Sequence, residues 1–170
     1  MQRPEKNEYA KYYETYVSLV KETDIVATLQ HQLAEMQDFL AGISEEKGAF
    51  AYAAGKWTIK EVIGHLNDGE KIFAYRALRF SRADQTPIEG FEQDDYVENT
   101  DFNACQLADL AEEFSLLRRA NILFFKSLTD EMWRRGGIAS NAEVSVRALV
   151  FIMVGHVRHH ANILRSRYLI

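Results

Sequence analysis

The sequence predicts an all-α protein, a four-helix up-and-down bundle with long crossover connections. Three observations carry that expectation. Apolar residues recur every three or four positions along four extended stretches, the spacing of a helix with one buried face. Segments rich in glycine, proline and acidic residues separate the stretches and break the periodicity. No strand-like alternation of any length appears. With 170 residues, the chain fits a single domain over 1–170 and is long enough to bury a core.

Residues 1–8 are polar and expected to be loose. Tyr9, Tyr12, Tyr13, Tyr16, Val17 and Val20 then mark a short packing helix, its tyrosines read as core-edge or dimer contacts rather than as chemistry. The first long helix starts at Thr23 or Asp24, either able to cap it, and turns Ile25, Leu29, Leu33, Met36 and Leu40 inward before Gly42 and Ser44 end it. Residues 44–57, with Gly48 and Gly55, form a connection. Thr58 and Glu61 make a capping box for a helix running to about Ser81, on the stripe Ile59, Val62, Ile63, Leu66, Phe73, Ala77. Glu70 falls near the middle of that stripe, so it either faces a polar cavity or meets a buried arginine. From about Arg82 to Asn103 the pattern gives way to a long crossover with Pro87, Gly90 and the acidic run Glu92, Asp94, Asp95, Glu98. Leu107, Leu110, Phe114, Leu117, Phe124 and Leu128 mark the third long helix, with Arg118 and Asn121 on or beside its inner face. After a connection from Thr129 to Asn141, the last helix runs from about Glu143 to Tyr168.

Composition narrows the function classes. A net charge of −5 supplies no drive towards nucleic acid or an anionic membrane. The N-terminal residues lack a signal-peptide core, and no apolar run approaches the roughly 20 residues of a membrane span. Cys105, at the start of a predicted helix, is the single cysteine; it reads as a packing residue and excludes both an intrachain disulfide and a multi-cysteine zinc site. A reducing, cytoplasmic setting fits best.

The chemistry concentrates in Val154–His160, read Val-Gly-His-Val-Arg-His-His. His156 and His160 lie four apart on one helix face and aim two imidazoles at one point. Ile63-Gly64-His65-Leu66 repeats the Val-Gly-His-Val pattern on another helix and offers a third imidazole. Gly64 and Gly155 each precede a histidine, and a close approach of the two helices would explain glycine there. From spacing alone two readings stand, a metal site in a bundle core or two core-edge histidines. His159 competes with His160 for the ligand position and ranks below it. His31, between two glutamines, reads as a surface residue. Asp68 is a candidate acceptor for an imidazole N–H, Arg118 pairs Glu70 or holds an anionic substrate, and Arg76 is a second candidate for such an anion.

The run Gly55-Lys56-Trp57-Thr58-Ile59-Lys60-Glu61-Val62-Ile63-Gly64-His65-Leu66, the continuation Glu70–Leu78, the crossover Gly90–Tyr96 and the Gly155-His156…His160 motif resemble the DinB superfamily, which includes the YfiT-like metal-dependent hydrolases. The resemblance implies His65, His156 and His160 as ligands of a divalent metal, zinc or nickel ahead of iron or manganese, with water completing the shell. It further implies a hydrolase or a low-molecular-weight-thiol S-transferase acting on a small molecule with a thiol such as bacillithiol, and a homodimer. It implies no DNA binding. The alternative function is a non-catalytic metal-binding protein serving assembly or stress response.

Overall fold

The computed structural model describes residues 2–169. Four long helices build it: α1 (Ile25–Ala41), α2 (Ile59–Ser81), α3 (Leu107–Lys126) and α4 (Val146–Ile163). Their starts follow local chemistry. The Asp24 carboxylate accepts from the Ala27 amide, Thr58 and Glu61 form the reciprocal capping box, and Ser145 Oγ accepts from the Ala148 amide. No side chain of its own caps α3; its first amide, on Leu107, donates to the Glu45 carboxylate at 2.7 Å, across the connection that follows α1.

Cross-helix contacts give the directions. Asn67 donates to the Leu110 carbonyl near the starts of α2 and α3, while the Arg82 guanidinium lies over the Phe124 ring near their ends, so these two helices run parallel. Gln32 donates to the Val154 carbonyl and Arg165 lies over Phe39, so α1 and α4 are parallel too. The expected four-helix bundle therefore runs up, down, down, up. Two neighbouring parallel helices need a long return, and residues 82–106 provide it.

Residues expected to contain no strand include a small antiparallel hairpin, β1 (Gly136–Ala139) and β2 (Ala142–Ser145), in the register Gly136↔Ser145 to Ala139↔Ala142. Ser140 and Asn141 turn it with φ of 52° and 61°, the left-handed pair a two-residue hairpin turn requires. Four-residue strands are too short to show alternation, and the helix expected from Glu143 begins three residues later because Ser145 caps it. The hairpin holds the crossover: the Ile88 amide donates to the Ile138 carbonyl at 2.9 Å and the Ser140 amide donates back to Ile88 at 3.0 Å.

The N-terminal segment lies against α4. Arg3 donates to the Val17 and Val20 carbonyls, and Glu8 accepts from Ser145 Oγ and pairs with Arg147. The short helix Glu14–Val17 packs so close to α4 that a Cβ on Gly155 would lie 2.1 Å from the Tyr16 carbonyl oxygen. A Cβ on Gly64 would strike the Phe102 ring at 2.4 Å. The expectation that these glycines let α2 and α4 approach each other is therefore corrected, since each receives a different segment. The glycine that makes room between α2 and α4 is Gly69, where a Cβ would lie 3.0 Å from the His156 ring.

Candidate metal centre

His65 is on the inner face of α2, and His156 and His160 are one turn apart on α4. The antiparallel packing of α2 on α4 brings all three together. His65 Nε2 lies 2.9 Å from His156 Nε2, and the ring centroids are 4.7–4.9 Å apart in all three pairings. One nitrogen from each ring lies within 4.8 Å of the others. His65 and His156 are each 4% exposed and His160 9%.

These residues fit a divalent ion. Two imidazoles on a tetrahedral zinc centre, at the usual metal–nitrogen length of about 2.0–2.1 Å, place their nitrogens roughly 3.3 Å apart. The observed 2.9 Å pair and the 4.8 Å upper bound bracket that spacing. His160 Nδ1 is buried with no hydrogen-bond partner, which a metal or its water would satisfy. Trp57, Phe73 and Tyr16 stand edge-on or tilted against the imidazoles with centroids 4.9–5.9 Å away, and give the centre dry walls.

Burial also sets the protonation state. Desolvation lowers the His65 pKa to about 4, against an opposing pull from Asp94. Desolvation lowers His160 to about 3, helped by His65 and His159, and His156 is driven well below its ordinary value by burial and then by His160. Neutral imidazole is the ligating form, so the rings are ready for a metal at neutral pH. Without metal, unfolded histidines take protons near pH 6.5, whereas folded His65 does so only near 4 and His160 only near 3, and burial holds His156 well below its ordinary value. Stability should therefore fall as pH drops from 6.5 towards 5, by about 1.4 kcal/mol per pH unit for each imidazole, and be flat in these groups above it. Urea midpoints at pH 7 and pH 5 measure this; equal stability at both would mean the rings protonate in place.

The remaining candidates are placed as follows. Glu70 does not face the imidazoles. It is 2% exposed, is gripped by Arg118 through Nε at 3.0 Å and Nη2 at 2.6 Å, and accepts from Asn121 at 3.0 Å. Arg118 also donates to Gln32 Oε1 at 2.7 Å, so this network spans α1, α3 and α2 beneath the centre. Asp68, a candidate partner for an imidazole, turns instead to Lys71 at 3.5 Å and feels Glu113. Its position three residues after His65 carries it round to the α3 side. His159 is half-buried beside Tyr16 and outside the convergent group. His31 is exposed and pairs with Glu35.

Sequence reasoning missed Asp94 and the tyrosines. The short helix Gln93–Glu98 lies over the histidines, and Asp94 lines two cavities at once. One, of about 290 Å³, is walled by Tyr12, Tyr13, Tyr16 and Phe73 and reaches His65 and His156. The other, of about 840 Å³, opens between Trp57, Tyr168 and Val97 and reaches His160. The tyrosines do pack, and they also form a wall. Nothing in the periodicity of Gln93–Glu98 distinguishes it from an acidic surface loop; the buried Val97 and the hairpin bridge at Ile88 hold it against the bundle.

The DinB superfamily sequence profile matches residues 28–164. Among solved structures, YfiT from Bacillus subtilis, described as a probable metal-dependent hydrolase with an unusual four-helix bundle topology, superposes with a TM-score of 0.73 at 16% identity, over 96% of this chain and 92% of that one. A mycothiol-dependent maleylpyruvate isomerase superposes with a TM-score of 0.70 at 9% identity, over 86% of this chain and 61% of that one. At these identities the likeness is one of fold. A search of curated proteins finds no match. No helix among the described residues is long and apolar enough to cross a membrane. The profile spans both the capping box that opens α2 and the histidine pair on α4, and the chain belongs to the DinB superfamily.

Proposed function

We propose that this protein is a divalent-metal enzyme that transfers a low-molecular-weight thiol, of the bacillithiol kind, to a small electrophilic molecule. The observation that carries the reading is the placement of three neutral imidazoles between two separate cavities. A reaction of two substrates needs two approaches, and a purely structural metal site needs none. His65, His156 and His160 hold the ion, zinc or nickel ahead of iron or manganese, since nitrogen ligands bind the divalent ions of manganese and iron more weakly than those later in the row. When bound, such an ion supplies Lewis acidity that lowers the pKa of a thiol or a water.

The chain's own groups do the rest. Trp57, Tyr16 and Phe73 exclude bulk water from the centre. Asp94, the carboxylate that lines both cavities, takes the proton of the incoming thiol. Sulfur then bonds to the electrophilic carbon, and the leaving group departs with its electron pair. The homodimer implied by the family belongs to the same proposal, with sedimentation of the metal-loaded chain as its check.

The experiment compares metal-free with zinc- and nickel-loaded protein, using thiol conjugation of 1-chloro-2,4-dinitrobenzene and hydrolysis of p-nitrophenyl acetate. Metal-dependent conjugation is the expected result. Ester hydrolysis without conjugation would favour the hydrolase reading. Loss of both, with a cobalt-substituted spectrum that added thiol leaves unchanged, would favour the non-catalytic metal-binding role in assembly or stress response.

A further inference from the structure

Arg76 is the second of two fully buried arginines, and it lacks what the first one has. Arg118 presents Nε and Nη2 to the two oxygens of Glu70, the side-on fork that guanidinium makes with a carboxylate. Arg147 grips Glu8 by the same edge. Arg76 is 2% exposed and has no acidic partner among the described residues. Its Nε is buried without any acceptor, and its Nη2 donates only to neutral oxygens, Ser140 Oγ at 2.9 Å and the Glu89 carbonyl at 3.4 Å. A buried cation with an empty bidentate edge is costly unless an anion completes it.

The position of this edge matters. Ser140, which accepts from Nη2, and Phe91, whose ring centroid lies 5.9 Å from the guanidinium carbon, are both walls of the smaller cavity beside the histidines. Gly69, Phe73 and Arg76 fall on one stripe of α2. Gly69 abuts His156, and Arg76 is seven residues further on, roughly 10 Å along the helix axis. The cavity therefore has the imidazoles at one end, an aromatic wall along its length and an uncompensated guanidinium behind the other.

We propose that Arg76 is the anchor for the carboxylate of the small organic substrate that occupies this cavity, its Nε and Nη2 taking the two oxygens as the Ser140 hydroxyl gives way. The proposal rests on the reading of the histidine cluster as the reacting centre. A singly charged carboxylate fits better than a phosphate, because Glu92 and Asp94 line the same cavity on its solvent side and oppose added negative charge. Phe73 and Phe91 favour an apolar chain between the carboxylate and the reacting atom.

The test uses butyrate, a monocarboxylate with an apolar tail, on metal-free protein, so that it reads Arg76 independently of whether the histidines hold metal; zinc stoichiometry is measured separately. The readout is the side-chain Nε–H resonance of Arg76 in the wild-type chain, with that of Arg118 as internal reference. Butyrate is expected to shift the Arg76 signal saturably and leave Arg118 unmoved, and Arg76→Gln is expected to weaken butyrate binding by about tenfold or more. No saturable shift, or equal binding by a folded Arg76→Gln variant, overturns the proposal. Tighter binding of inorganic phosphate at the same resonance overturns the carboxylate assignment. If the variant fails to fold, the wild-type resonance still decides.

Discussion

Replacing His156 with alanine is expected to loosen zinc roughly 10²–10³-fold, the share of one ligand in the about 10–16 kcal/mol that four-ligand zinc sites supply. His156 is a direct choice because it touches both other rings, is 4% exposed and has Gly69 of α2 against it. Its removal takes away one of the three proposed ligands and also frees His65 Nε2 from its 2.9 Å neighbour. The fold should tolerate the change, since a neutral imidazole is exchanged for a smaller apolar group at a site where α2 already carries Gly69. His31→Ala is the control, because that ring stands in solvent beside Glu35. Zinc content after dialysis against a weak chelator, with far-ultraviolet circular dichroism to establish folding, measures both. A folded His156→Ala chain that keeps one zinc per molecule would remove the three-histidine assignment.

The second large effect is on stability. Arg118→Met should destabilise the metal-free chain by about 3–5 kcal/mol, because it strands the Glu70 carboxylate in the core and leaves Gln32 Oε1 without its donor. At about 2–4 °C per kcal/mol for a chain of this size, the melting temperature should drop by roughly 6–20 °C. The double variant Glu70→Met, Arg118→Met is expected to recover much of the loss, since it removes both charges rather than one. Thermal melts of the two variants side by side separate these contributions. A single variant within 1 kcal/mol of the parent in that comparison would mean that water reaches Glu70 and the pair is not sealed.

Much of this arrangement is legible in the sequence. The one-turn spacing of His156 and His160 aims two imidazoles at one point and the twin Gly-His segment offers a third at His65; spacing leaves the core-edge reading open, and the family resemblance is what singles out the triad. A carboxylate in the middle of an apolar stripe announces that Glu70 needs a partner, and Arg118 is on the inner face of another helix. What stayed hidden depends on contacts without periodicity. Asp94 reads as one member of an acidic run, and its place over the histidines depends on the buried Val97 and on a bridge between Ile88 and a four-residue hairpin. Gly64 and Gly155 look like a matched pair, yet one receives an aromatic ring and the other a backbone carbonyl. The free edge of Arg76 is a matter of what is missing around it, which no spacing records.

His65 and His156 are 91 residues apart in the chain. The unfolded polypeptide therefore offers a metal the local histidines His156, His159 and His160, with His65 a long loop away. Any ion that the three hold binds the native bundle in preference to the denatured ensemble, and its free concentration enters the folding equilibrium directly. At a hundredfold excess over the dissociation constant this linkage is worth about 2.7 kcal/mol. If the three imidazoles hold an ion, the abundance of folded protein follows the supply of that ion, whether or not the centre is catalytic.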